Sequence, residues 1–378
     1  MSLSKISVIM FVVLVALVGA ILLIQDDEPV YKQPQNTDMM AVDEQEETDD
    51  EEATDPKQDI NALRTDAEAG DLSAQLRLAR LYEYNRAYKN PQEASKWYLL
   101  AARQGNVKAQ YKMATRYEKG VGIAQNSQQA IKWYQAMVAS GDIRGCMRIA
   151  RIYEKGIGLE KNEKLAAGWY LKAAKADHKG AVYKMGSLYE KGIGVEKDIQ
   201  TAINWYQKAA DQGHKSAFYK LGILYQKGSG VPKDIKQAIY WFEKSADTGN
   251  IQACYLLGQI HERGIQVPKD TKTAVDWYLK AAKRGSRKAQ LDIGIRYTEG
   301  RGVEKNAVLA YQWLSIAAKQ TRAQDTDASK KPDKISTQAI EERDKIEKQL
   351  SENEINKALA LARAFKPEKP EKQRKTGK

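Results

Sequence analysis

The chain is poor in the residues from which reactive centres are made. Its 378 residues include three histidines, His178, His214 and His261, and two cysteines, Cys146 and Cys254. Two cysteines cannot form a disulfide framework. The histidines fall in no metal-ligand or nucleophile–base spacing, which argues against a metal centre or a catalytic group. No Asn-x-Ser/Thr sequon occurs, so N-glycosylation is not expected. Nor do Asp and Glu balance Lys and Arg: the net charge is +12, and it is unevenly placed. Asp26 to Ile60 holds fourteen acidic residues against Lys32 and Lys57, a net of −12; with Lys5 the sole charge before it, the remainder from Asn61 carries +23. An acidic arm joined to a basic body points to electrostatic partners.

One long uncharged run is present, the nineteen residues Ile6 to Ile24. At about 1.5 Å per residue it spans the roughly 30 Å core of a bilayer. A cleavable secretory signal is the competing reading, but the apolar run continues past Val18-Gly19-Ala20 into Ile21-Leu22-Leu23-Ile24. Lys5 before the run and Asp26-Asp27-Glu28 after it place residues 1–5 in the cytoplasm and the body outside the inner membrane, facing the periplasm. Residues 25–60, acidic and poor in aromatics, are expected to be a disordered linker.

A repeat dominates the basic body. All seven tryptophans, Trp97, Trp133, Trp169, Trp205, Trp241, Trp277 and Trp313, stand 36 residues apart. Alanine precedes each by three positions, and Asn or Asp by seven, from Asn90 to Asn306. These Asn/Asp residues read as N-caps, whose side-chain oxygen accepts an orphan N–H of the first helical turn. A preceding helix ends at a tyrosine column, Tyr82 to Tyr297 with His261 as the exception, and from Tyr117 onward a glycine follows three residues later, where a helix end turns left-handed. A second glycine column, Gly105 to Gly285 with Asp177 as its exception, closes the units. Small residues recur in the first helix at Ala74, Ala109, Gly145, Ala181, Ala217, Ala253 and Ala289. One helical hairpin cannot bury such a face alone, so the units must stack.

These columns, quoted best in the fourth unit as Ala181, Gly186, Leu188 to Val195, Asp198, Ala202, Trp205-Tyr206, Ala209-Ala210 and Gly213, resemble the Sel1-like repeat, a relative of the tetratricopeptide repeat. The resemblance implies an all-α, right-handed α-α superhelical solenoid of seven helix-turn-helix repeats. It is to be preceded by one transmembrane helix, residues 6–24. The solenoid is assigned to residues 61–320, C-terminal capping helices to 321–365, and a loose basic tail to 366–378. Ser336 to Leu350 reads as one capping helix, and the capping box at Ser351 opens another, to about Phe365. The first unit lacks the Gly-x-Gly loop, and the sixth loses its second glycine at Gln266. Those loops lack the strand and the full fingerprint of a dinucleotide site, so no nucleotide or other cofactor is expected. The two cysteines share one repeat column three units apart, roughly 25 Å for helices packed at 8–10 Å. A disulfide is thereby excluded.

Counting from the first alanine of each unit, offsets 2 and 3 point away from the apolar columns at 100° per residue. Offset 3 carries Arg77, Lys112, Arg148, Lys184 and Lys220 before Leu256 and Asp292 end the run. Offset 2 carries Tyr111, Tyr183, Tyr219 and Tyr255, with Met147 among them. The resemblance puts these first helices on the concave face, so a basic and aromatic ladder would line a groove there. It would suit an extended acidic ligand: an acidic protein segment, an anionic glycan, or the chain's own Asp43–Asp55. The expected function is a non-enzymatic protein-binding scaffold. A cell-wall or anionic-polysaccharide-binding module is the second reading, and a nucleic-acid binder, which needs a cytoplasmic solenoid, a remote third.

Overall fold

The computed structural model describes residues 60–264, 266–318 and 333–368. The apolar run Ile6–Ile24, the acidic arm, residues 319–332 and residues 369–378 lie outside them. Among the described residues no helix is long and apolar enough to cross a membrane.

The described chain is helical throughout. A short helix α1 (Ile60–Glu68) leads into seven hairpins: α2 (Leu72–Tyr84) with α3 (Pro91–Arg103), α4 (Val107–Lys119) with α5 (Ser127–Ala139), α6 (Arg144–Lys155) with α7 (Glu163–Lys175), and α8 (Lys179–Lys191) with α9 (Ile199–Asp211). There follow α10 (Lys215–Lys227) with α11 (Ile235–Asp247), α12 (Ile251–Arg263) with α13 (Thr271–Lys283), and α14 (Arg287–Glu299) with α15 (Ala307–Ala318). Two further helices, α16 (Lys334–Glu347) and α17 (Glu352–Ala364), pack on α15. From α1 to α16 each helix packs on its neighbours in sequence, as a solenoid of stacked hairpins requires.

Local chemistry sets the period. Asp198 Oδ1 accepts the Thr201 N–H at 3.1 Å, and the same bond starts the second helix in the other units, to Leu309 from Asn306 at 2.9 Å. From the second unit on, the first helices end on left-handed glycines such as Gly192, φ 71°. The second loop glycine answers a close approach between repeats. A Cβ on Gly194 would lie 2.0 Å from the Glu163 carbonyl oxygen at the start of the preceding unit's second helix. In the sixth unit Gln266 keeps the left-handed turn at φ 59°, and its Oε1 accepts the Ile235 N–H at 3.3 Å. Asp177 likewise holds φ 56° where the other five of the first six units close on glycine.

The core runs along the stack as successive clusters, built from the small columns and the residue after each tryptophan. Ala181, Ala202, Ala209, Met185 and Tyr206 are essentially inaccessible. Cys146 and Cys254 are buried free thiols, and burial pushes Cys146 up to about 11.

At the C-terminal end α16 starts two residues before the expected Ser336, because Asp333 caps it, accepting the Ser336 N–H at 2.9 Å. Ser351 and Glu354 form the capping box of α17. Phe365 packs edge-on against Trp313 at 5.6 Å. Where the composition predicts a loose tail from Lys366, the Glu368 N–H donates to the Lys283 carbonyl at 2.9 Å. The exposed C-terminal carbonyls of α13 therefore fix the chain for at least two residues beyond that point.

Candidate functional site

The first helices carry offset 3 on a face where it meets the preceding repeat, and there the ladder's cations find carboxylates. Lys112 Nζ lies 3.1 Å from Glu83 Oε2, Lys184 Nζ 2.6 Å from Glu154 Oε1, and Lys220 Nζ 2.9 Å from Glu190 Oε1. Each glutamate also accepts the hydroxyl of the tyrosine that follows its own unit's tryptophan: Tyr98, Tyr170 and Tyr206 donate to Glu83, Glu154 and Glu190, all at 2.7 Å. Tyr134 makes the same bond to Glu118 at 2.8 Å, and Tyr278 to Glu262 at 2.9 Å. A carboxylate thus ties both helices of one repeat to the first helix of the next.

The predicted cationic residues are therefore not a row of uncommitted charges. Lys112, Lys184 and Lys220 pair with glutamates. Arg148 donates to the Tyr111 hydroxyl at 2.8 Å and lies over its ring, 5.5 Å from the centroid, which joins the two predicted columns at that point. Arg77, in the first unit, has no earlier repeat to supply a glutamate and is exposed. The tyrosine column is brought against neighbouring rings: Tyr183 near Tyr206 at 5.4 Å, Tyr219 near Phe242 at 5.9 Å, Tyr255 near Tyr278 at 5.2 Å. Tyr183 also stacks on His214 at 4.4 Å. Past the basic run, Tyr255 donates to Asp292 Oδ2 at 2.7 Å.

The glutamates were not anticipated, although the signal was available. They form a column at offset 9, sixteen residues before the tyrosine in every unit from the second on (fifteen in the first, which is one residue short). Where Phe242 replaces tyrosine, Gln226 replaces glutamate; where Leu314 does, Thr298 stands instead. Two arginines were also missed. Arg116 and Arg296 occupy an interior column that is otherwise Leu or Ile, and both are buried. Arg116 reaches Glu83 at 3.0 Å and Arg296 reaches Glu262.

Electrostatics follow from this wiring. Burial alone would raise the Glu83 carboxyl, but the Tyr98 hydrogen bond and the charges of Lys112 and Arg116 outweigh it and hold Glu83 below its ordinary range. Glu154, Glu190 and Glu262 are lowered in the same way, against their burial. Burial and the adjoining carboxylates push Tyr98, Tyr134, Tyr170, Tyr206 and Tyr278 far above the usual phenol range. Burial raises Asp292 in spite of its bond from Tyr255. His178 and His214 occupy N-cap positions of first helices, His178 Nδ1 accepting the Ala181 N–H at 3.2 Å. Among the described residues no three His, Cys, Asp or Glu side chains are grouped to hold a metal ion.

Comparison with known proteins agrees with this architecture. The Sel1 repeat model matches residues 72–106, 107–142, 143–178, 180–214, 216–250, 251–286 and 287–321. A Sel1 repeat protein from Oxalobacter formigenes is 30% identical over 70% of this chain and 77% of its own, with a TM-score of 0.58. A protective antigen of uropathogenic Escherichia coli strains, c5321, which displays an SLR fold, is 26% identical over 81% of this chain and 78% of its own, with a TM-score of 0.36. Comparison with curated proteins gives no match.

Proposed function

The chain belongs to the Sel1 repeat family, and from that premise we propose that it is a non-catalytic protein–protein interaction scaffold, anchored in the inner membrane by Ile6–Ile24 with its solenoid on the periplasmic side. One observation carries the non-catalytic reading. Tyr–Glu pairs, whose tyrosines are pushed far above the usual phenol range, recur in five repeats at the same joint. Four of those glutamates stay ionised well below neutrality and their tyrosines stay protonated well above it. A general acid or base works best with a pKa near the operating pH. These pairs are built to hold helices together rather than to move protons.

Partners are met, on this reading, along the face carrying Arg77, Lys112, Arg148, Lys184 and Lys220 with Tyr111, Tyr183, Tyr219 and Tyr255. An acidic extended segment suits it. The paired glutamates offset the positive charge of Lys112, Lys184 and Lys220, which leaves Arg77 and Arg148 as the cations of this face without a carboxylate partner among the described ion pairs. Reversing Lys112 or Lys184 would also set a carboxylate against Glu83 or Glu154, so the cleaner variant is Arg77→Glu with Arg148→Glu. It should lower crosslinking of partners to the full chain at least tenfold, and unchanged crosslinking would sink the groove assignment. For topology, a phosphatase active only outside the cytoplasm is fused after Lys378. Activity supports the outward solenoid; a fluorescent cytoplasm-only reporter lighting up in its place overturns it.

A further inference from the structure

Helix α7 departs from all six counterparts at one position and from five of them at a second, one turn away. Immediately before the tryptophan the others carry Lys96, Lys132, Asn204, Tyr240, Asp276 and Gln312; α7 carries Gly168. Four residues before the tryptophan five of them carry a polar side chain, Glu93, Gln129, Thr201, Gln237 or Thr273; α7 carries Leu165, which α15 alone matches, with Leu309. Packing does not ask for this glycine: a Cβ on Gly168 would meet nothing within 4 Å. A glycine inside a helix is destabilising relative to alanine. What Gly168 does is clear the surface beside Trp169. Asn162, Lys164, Leu165, Gly168, Trp169 and Lys172 line an open notch of about 500 Å³. Leu165 is 45% exposed at its edge. Lys164 and Lys172 flank it, while Glu163, the acid next along the helix, is engaged by Lys161 at 2.5 Å.

We propose that this notch docks one bulky apolar side chain, leucine or an aromatic, presented by an acidic segment of a protein partner. The side chain lies over Gly168 between Leu165 and Trp169, and the segment's carboxylates meet Lys164 and Lys172. An aromatic or aliphatic anchor seated in a pocket, with a polar rim around it, is the usual form of an interface hot spot. The two lysines give the charge complementarity that selects an acidic partner. A stacked sugar ring fits less well, because Lys172 Nζ already lies over the Trp169 ring, 5.4 Å from its centroid. The proposal rests on the scaffold reading and names the chemistry of one partner.

The test uses the full chain in detergent and three probes: a fluorescent acidic dodecapeptide with one central tryptophan, the same peptide with serine in its place, and an oligogalacturonate. The tryptophan peptide should bind at least tenfold tighter than the serine peptide. Gly168→Gln, which places there the side chain that Gln312 has in the last repeat, should abolish that tenfold preference without lowering the thermal midpoint. Leu165→Gln should reduce it several-fold. A preference that survives Gly168→Gln, or no preference in the native chain, overturns the proposal. So does oligogalacturonate binding that Gly168→Gln removes, since the site would then belong to a glycan. Crosslinking in the host separates this idea from the scaffold reading. The same partners captured by native chain and Gly168→Gln alike overturn the notch and leave the scaffold. Capture by neither overturns both.

Discussion

Tyr206 donates its hydroxyl to the Glu190 carboxylate over 2.7 Å, and that carboxylate also holds Lys220 of the following repeat at 2.9 Å. Tyr206 is fully buried, and Glu190 accepts its hydroxyl proton there. The fifth repeat solves the same problem without a charged group, with Phe242 and Gln226. Hydroxyl and carboxylate should therefore be worth more together than apart.

Tyr206→Phe should cost about 1.5–3 kcal/mol, the usual worth of a hydrogen bond to a charged group. Glu190→Gln alone should cost a similar amount, as it weakens the hold on both Tyr206 and Lys220. The double variant, which reproduces the pair found in the fifth repeat, should cost less than the sum by at least about 0.5 kcal/mol. Urea unfolding of the four proteins gives the coupling directly. Strict additivity would mean the two residues do not act as a unit.

Acid should loosen these joints in a defined window. Glu83, Glu154, Glu190 and Glu262 have carboxyls held below the ordinary 4.5 in the folded chain. The unfolded chain then binds protons more readily, so their stabilisation is complete above about pH 4.5 and lost as pH falls through the lowered folded values. Asp292 works in the opposite sense. Burial raises it above 3.8, so it favours the folded state as pH falls and offsets part of the loss in the last joint. With side chains of the paired lysines about 31% exposed, each pair contributes under about 1 kcal/mol. Urea midpoints should therefore be flat from pH 7 to 5 and fall from pH 4.5 to 3. Glu154→Gln with Glu190→Gln should shift the midpoint down at pH 7 and flatten the acid limb.

One ion pair ties the C-terminal cap to α14. Arg287 reaches Asp333 at 2.6 Å, and the hydrogen bond from Arg287 holds the Asp333 carboxyl down at about 2. Asp333 also caps α16, so Asp333→Ala removes a cap worth about 1 kcal/mol and the tie to α14 together. Amide hydrogen exchange should quicken across residues 334–347 with little change in the repeats. Uniform exchange throughout would show that α16 unfolds only with the whole solenoid.

The repeat was legible in the sequence because its determinants are local. Asn and Asp caps, the left-handed glycines and the alanine before each tryptophan act within one turn, so their columns mark helix ends directly. The determinants that escaped sequence reading act between repeats. Offset 3 reads as a set of free cations when Lys184 and Lys220 are weighed on their own helix alone. Their partners Glu154 and Glu190 stand thirty residues earlier. The joint change of Tyr to Phe242 and Glu to Gln226 was the available clue. The hold of Glu368 on the Lys283 carbonyl had none, since a backbone N–H carries no side-chain signature.

Two glycines, Gly186 and Gly168, owe their places to unlike causes and should answer the same substitution with opposite signs. Gly186 lies under the ring of Tyr206, and a Cβ there would fall 2.7 Å from its Cδ1. That ring is buried and held at its far end by Glu190, so it cannot retreat. Gly186→Ala should destabilise by about 1–3 kcal/mol, the usual cost of overpacking. The earlier repeats carry Ala79, Ala114 and Ala150 in this column, so the loss reflects a closer helix approach in the later units and should shrink when Tyr206 is cut back to Leu. Gly168 faces open space, and Gly168→Ala should stabilise α7 by up to about 1 kcal/mol, the helix-propensity difference between the two residues. Thermal and urea unfolding of both alanine variants decides the matter. Opposite signs would show that one glycine serves packing and the other is kept at the expense of stability. A loss at Gly168 would mean that its backbone does more for the fold than leave room beside Trp169.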